Sequence, residues 1–221
     1  MVCRLLRAVY NQRTLKAKYS AFWDAEIVLE RMREMGPNAS LSLRQLTLKT
    51  VLTLALATYA RVSEIASIDF QTLRFQDGGL LFNLLKPRKS QTSGPLATFK
   101  LRPLLSDPLI CPVESVKAYI ERTTDLREVN IRQFFVAMKQ PHTAVGASSI
   151  ARWIKMALQS AGVDTAVFTA HSTRGAAASK ALAKGIPCDN ILTAASWKRA
   201  STFHKFYNKR ISHGDGTGVN L

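Results

Sequence analysis

"HSTRGAAASKALAKG", residues 171–185, followed by "AASWKRASTFHKFYNK", residues 194–209, decides how this chain is read. The first stretch sets an imidazole and a guanidinium three residues apart, His171 and Arg174, at the head of an alanine-rich run that favours helix. The second carries Trp197 and, 33 residues beyond Arg174, the phenol of Tyr207 in a basic segment. Covalent attack on a phosphodiester needs a nucleophile that can hold the phosphoryl group, positive donors for the non-bridging oxygens and an acid for the leaving oxygen. These side chains supply most of that set.

A second guanidinium stands upstream, Arg61 in "ALATYARVSEIASIDF", residues 55–70. Arginine suits a phosphate because its planar fork bonds two oxygens at once and keeps its charge. Leu48, Val51, Leu52, Ala55 and Leu56 repeat at helical spacing and predict an almost fully buried helix over 42–57. Thr58 is the expected cap of a short following helix with Arg61 in its first turn. Before these, Ser20 is expected to cap a helix in which Ala25, Val28, Met32 and Met35 share a face, closed by Gly36-Pro37.

Between residues 72 and 101 the period changes. "TLRFQ", "GLLFNLLK" and "LATFKLRP" alternate like strands, separated by Asp77-Gly78-Gly79 and the polar "PRKSQTSG". A small three-stranded antiparallel sheet follows, its second hairpin tip carrying Lys86, Arg88 and Lys89. Helices are then expected over 112–122, 148–161, 174–184, 188–196 and 201–210. The fold class is therefore mainly α with a small antiparallel β-sheet, α+β, with a glycine-rich flexible tail at 211–221.

A formal charge of +16 on 221 residues, with 47% hydrophobic residues, implies a polyanionic partner for a chain that also builds a core. From residue 130 onward twelve Lys/Arg face only Asp164, Asp189 and Asp215, so the candidate chemistry lies in a positive field and lacks paired carboxylates for two metal ions. Cys3, Cys111 and Cys188 show no metal spacing and point to a reducing compartment. No stretch of eighteen apolar residues occurs, so no membrane partner is expected.

The order of these pieces resembles the tyrosine recombinase (phage-integrase-like) family: an arginine after a buried helix, a lysine in a β-hairpin, H-x-x-R, a His or Trp, then a tyrosine about ten residues later. "ALATYARVSEIASIDF", "KPRKSQTSG", "HSTRGAAASKALAKG" and "AASWKRASTFHKFYNK" carry it, over roughly residues 40 to 210. The resemblance implies an integrase catalytic core at 37–210, preceded at 1–36 by a linker and the remnant of an N-terminal core-binding region. It implies that Arg61 and Arg174 clamp the scissile phosphate, His171 supports it, Trp197 offers a ring N–H, and Tyr207 forms a 3′-phosphotyrosyl link. The hairpin lysine is Lys89 in preference to Lys86. Lys86, Arg88, Lys198 and Arg199 are expected along the DNA backbone, with Glu64 orienting an arginine. Double-stranded DNA is the implied partner, a homo-oligomer the implied assembly on it, and no cofactor or metal is implied.

The wording is closest to recombinases of DIRS-like retroelements, in "VCRLLRAVYNQR" with its following "WD" and in "ASTFHKFYNK". That implies integration of a mobile element into a genome, hence action in the nucleus. Two alternatives remain open on sequence: a type IB topoisomerase-like activity, and a non-catalytic DNA-binding protein derived from a recombinase.

Overall fold

The computed structural model describes residues 17–89, 91, 93–197 and 200–212. Helices dominate. In chain order they are α1 (Ala25–Glu34), α2 (Leu43–Thr58), α3 (Val62–Ile65), α4 (Pro112–Thr123), α5 (Ala147–Ser160), α6 (Ser172–Ala183), α7 (Cys188–Ala195) and α8 (Ala200–Phe206). The strands are β1 (Ala21–Trp23), β2 (Arg74–Gln76), β3 (Gly79–Asn83), β4 (Thr98–Leu101) and β5 (Arg210–Ser212).

Helix α2 is the central post. Ser42 and Gln45 close a reciprocal capping box at its start. Its threonines are buried because their hydroxyls donate to carbonyls one turn back, Thr47 to Leu43, Thr53 to Lys49 and Thr58 to Leu54. Leu46, Val51, Leu52, Leu54 and Ala55 then pack into the main core with α4 and α5. The helix stops where Tyr59 takes a left-handed conformation, φ 51°, so Thr58 ends α2 and Arg61 itself caps α3. The expected Thr58 cap is thus displaced by three residues.

The antiparallel sheet has the order β2-β3-β4. Its first hairpin turns on Asp77 and Gly78, both at positive φ between the paired Gln76 and Gly79, the two-residue turn whose twist matches the strands. Phe82 stacks on Phe99 across the second pair with ring centroids 5.0 Å apart.

Residues 21–24 depart from the sequence reading. Ser20 does not cap α1; Asp24 does, accepting from the Glu26 backbone N–H. Ahead of it, β1 pairs in parallel with β5, Phe22 opposite Ile211, so Ile211 and Ser212 of the expected tail are a strand. Tyr19, Phe22, Trp23, Val28 and Met32 all join the main core, which draws the second half of the expected linker into the body of the fold. Three-residue strands carry too little periodicity to be read. Residues 1–16 and 213–221 lie outside the described residues.

Phe22 is keyed onto α6 at Gly175, where an added Cβ would sit 2.0 Å from the ring. Gly175→Ala therefore overpacks this contact and should cost about 1–3 kcal/mol. Thermal melting of the single variant and of Gly175→Ala with Phe22→Leu checks it: the second change should restore part of the loss.

Candidate active site

Helix α6 begins with the H-x-x-R residues and is made of small side chains after them, which lets neighbours approach closely. Arg174 points inward and is only 2% exposed. Its Nη2 donates to the carbonyl oxygen of Ala195, at the C-terminal end of α7, where the helix dipole is negative. Nε and Nη1 are buried and make no hydrogen bond within the described residues. The guanidinium lies over two rings, 4.5 Å from the Trp197 centroid and 5.8 Å from that of Tyr207.

Those rings belong to a second, smaller core cluster in which Ala178, Ile191, Ala195, Trp197 and Phe203 are buried and Tyr207 is partly buried. Ser196 turns the chain after α7 at φ 52°, and α8 brings Tyr207 back onto α6. Ser179 of α6 donates to the Tyr207 carbonyl at 2.6 Å. Trp197 stacks on Tyr207 with centroids 4.4 Å apart, and His171 lies 6.3 Å from the same ring.

Arg61 is tied to the group through Glu64 and Arg88. Glu64, 4% exposed, accepts its backbone N–H at 2.9 Å and its Nη1 at 2.6 Å. Arg88 forks onto the same carboxylate, Nε to Oε1 at 3.2 Å and Nη2 to Oε2 at 3.1 Å. Burial alone would raise the Glu64 pKa, but the Arg88 and Arg61 contacts outweigh it and hold the group below the ordinary carboxylate range. Two guanidiniums, Arg61 and Arg88, share one carboxylate, and with the Arg174 charge the cluster carries excess positive charge.

Burial and then Arg61 push Arg174 down to about 10, so it stays charged at neutral pH. His171 is lowered by burial first, then by Arg174, Arg61 and Lys18. A continuous set of contacts, Arg61 to Glu64, Glu64 to Arg88, and Arg88 and Arg174 to the Ala195 carbonyl, links the two arginines, and His171 feels the charge of both. At neutral pH His171 is therefore an uncharged imidazole, able to accept a proton as well as donate one. NMR titration should give a His171 midpoint below the ordinary 6.5. Arg174→Met should raise it without reaching that value, because burial is the larger cause.

Of the residues singled out in the sequence, His171, Arg174, Trp197 and Tyr207 come together, and Arg61 joins them through Glu64 and Arg88. Trp197 meets Arg174 and Tyr207 through its ring face. Lys86 and Lys89 are exposed on the hairpin. Arg88 is not on the hairpin surface as a backbone contact would be; at 5% exposure its fork is engaged inside the protein. Lys198 and Arg199 lie outside the described residues. Sequence reasoning did not find Arg88's partners, the Ala195 carbonyl or Ser179, since each acts through a contact remote in sequence. Among the described residues, no three His, Cys, Asp or Glu side chains form a group that could hold a metal ion, and no helix is long and apolar enough to cross a membrane.

Residues 28–213 match the phage integrase family. Among solved structures, the fold is similar to that of XerA recombinase, at 16% identity and TM-score 0.63 over 88% of this chain and 61% of that one. It is similar to XerH site-specific recombinase bound to difH substrate in a pre-cleavage complex, at 13% identity and TM-score 0.64 over 87% and 51%. A lambda integrase (75–356) dimer bound to a COC′ core site matches at 15% identity and TM-score 0.58 over 96% and 68%. The chain thus spans about half to three fifths of the XerH and XerA chains. No curated protein sequence matches it.

Proposed function

The chain belongs to the phage integrase family, and from that premise we propose that it cuts and rejoins double-stranded DNA through a 3′-phosphotyrosyl intermediate. The observation that carries this is the grouping of His171 and Arg174 beside the Tyr207 ring, with Arg61 joined to Arg174 through Glu64, Arg88 and the Ala195 carbonyl and two Arg174 nitrogens buried and unbonded. Arg61 and Arg174 bond the non-bridging oxygens of the scissile phosphate. Tyr207 gives its proton to His171 as its oxygen forms the new bond to phosphorus. The 5′-oxygen leaves with the bonding pair and is protonated by Lys89, or by Lys86 on the same hairpin. A second strand's 5′-hydroxyl reverses the reaction without ATP, because the phosphotyrosyl link conserves the phosphodiester's energy.

The excess of Lys and Arg supports a DNA partner, and the DNA-bound XerH and lambda integrase structures support the same substrate and a dimer or larger assembly on it. The DIRS-like phrasing of "ASTFHKFYNK" supports integration of a mobile element in the nucleus as the biological setting. The test is a nicked duplex whose short 3′ fragment diffuses away after cleavage. A DNA-linked protein band after denaturation supports the reading; saturated binding without one favours a binding module, and relaxation of supercoils at any sequence favours a topoisomerase.

A further inference from the structure

We infer that Arg88 is a positioning residue, whose single buried guanidinium fixes both the acceptor that holds Arg61 and the acceptor that holds Arg174. The inference rests on the covalent reading above. Two like charges aimed at one phosphate repel each other, so each needs an acceptor that is itself held in place.

On one side, the Arg88 fork takes both oxygens of Glu64, the carboxylate that also receives the backbone N–H and Nη1 of Arg61. On the other, Arg88 Nη1 donates to Ser196 Oγ, and Nη2 lies 3.4 Å from the Ala195 carbonyl oxygen. That carbonyl is the hydrogen-bond acceptor of Arg174. Phe99 of β4 backs the guanidinium at 4.8 Å. One planar group thus ties α3, the β3–β4 hairpin and the C-terminal end of α7, elements separated by 24 and 108 residues. Without it Glu64 can turn wholly toward Arg61, and the Ala195–Ser196 corner, which carries the acceptor of Arg174 and leads into Trp197, loses its tie to the β3–β4 hairpin through this guanidinium. A lysine cannot replace it, since an ammonium is a point charge and does not span the carboxylate and the corner together.

A DNA contact is the competing assignment. Burial and full engagement of the fork speak against it.

The test compares the unchanged chain with Arg88→Met and Arg88→Lys on two nicked duplexes, one with an ordinary scissile phosphate and one with a methylphosphonate there. The methyl group removes the charge on a non-bridging oxygen, so less guanidinium charge is needed in the transition state. On phosphate, both variants should form covalent adduct about 10²-fold more slowly at saturating DNA, the scale of a misplaced clamp. DNA affinity should stay within about twofold, because no phosphate contact is removed. On methylphosphonate the rate defect should shrink to a few-fold. Both rates come from one preparation, so a change in folded fraction cancels in their ratio. Equal loss on both duplexes means a merely structural tie, lost affinity with an unchanged saturated rate means a DNA contact, and an unchanged rate means no role; each overturns the inference. If the unchanged chain binds DNA but forms no adduct on either duplex, the covalent reading itself fails and takes this inference with it.

Discussion

Tyr207→Phe should abolish the covalent DNA–protein adduct while leaving the fold and DNA affinity almost unchanged. The phenyl ring keeps the stack on Trp197 and the place under Arg174, and the backbone carbonyl still accepts from Ser179, so the packing that seats α8 on α6 survives. Only the oxygen that would bond phosphorus is gone. Loss of a covalent nucleophile costs enzymes about 10⁴-fold or more in rate, so adduct should fall to background in the trapping assay. Affinity, carried by many backbone phosphate contacts, should move by less than about twofold in a filter-binding or anisotropy titration. Adduct persisting at the wild-type rate would place the nucleophile elsewhere. A large drop in melting temperature would instead make the Tyr207 hydroxyl a structural group.

The residues that test this proposal were legible in the sequence because each is a chemically distinctive type in a distinctive order, and because small residues after His171 mark a helix that others must approach. The sheet was legible from its Asp77-Gly78 turn and period-two alternation. What the sequence concealed is what is settled by distant partners. Strands β1 and β5 are three residues each and pair across almost the whole chain, so neither shows a pattern of its own. Arg88 sits in "KPRKS", a run that reads as solvated surface. Its burial is dictated by Glu64 and by the turn at Ser196, neither of which the local composition reveals. The helix boundary near Arg61 shifted for a similar reason: Tyr59 adopts a left-handed turn while packing against the second core cluster, a tertiary contact overriding the local preference for Thr58 as a cap.

Arg174→Met should slow covalent cleavage severely without destabilising the protein, and this pairing of outcomes separates a reacting role from a packing role. The folded chain bears a charge at a site 2% exposed, with Nε and Nη1 unbonded. Its depressed pKa, about 10, has burial and Arg61 as its main causes, so the penalty on the charged form is fully present at neutral pH. A buried donor without a partner costs about 1–3 kcal/mol. Against that, the variant loses one hydrogen bond to the Ala195 carbonyl, which still lies within reach of Arg88, and the face contacts with Trp197 and Tyr207. Those contacts are worth about 0.5–2 kcal/mol. Methionine is unbranched, apolar and adaptable enough to fill the same channel. The balance predicts an unchanged or higher melting temperature, about 2–4 °C for each kcal/mol gained in a chain of this size. The rate of adduct formation should fall by about 10²–10³, the usual cost of deleting one preorganised donor to a developing oxyanion. Natural sites keep such strained charges where reaction chemistry uses them. If melting instead falls by ten degrees or so, a loss of several kcal/mol for a chain of this size, Arg174 is there to hold α7 against α6, and the phosphate clamp must be sought in other side chains.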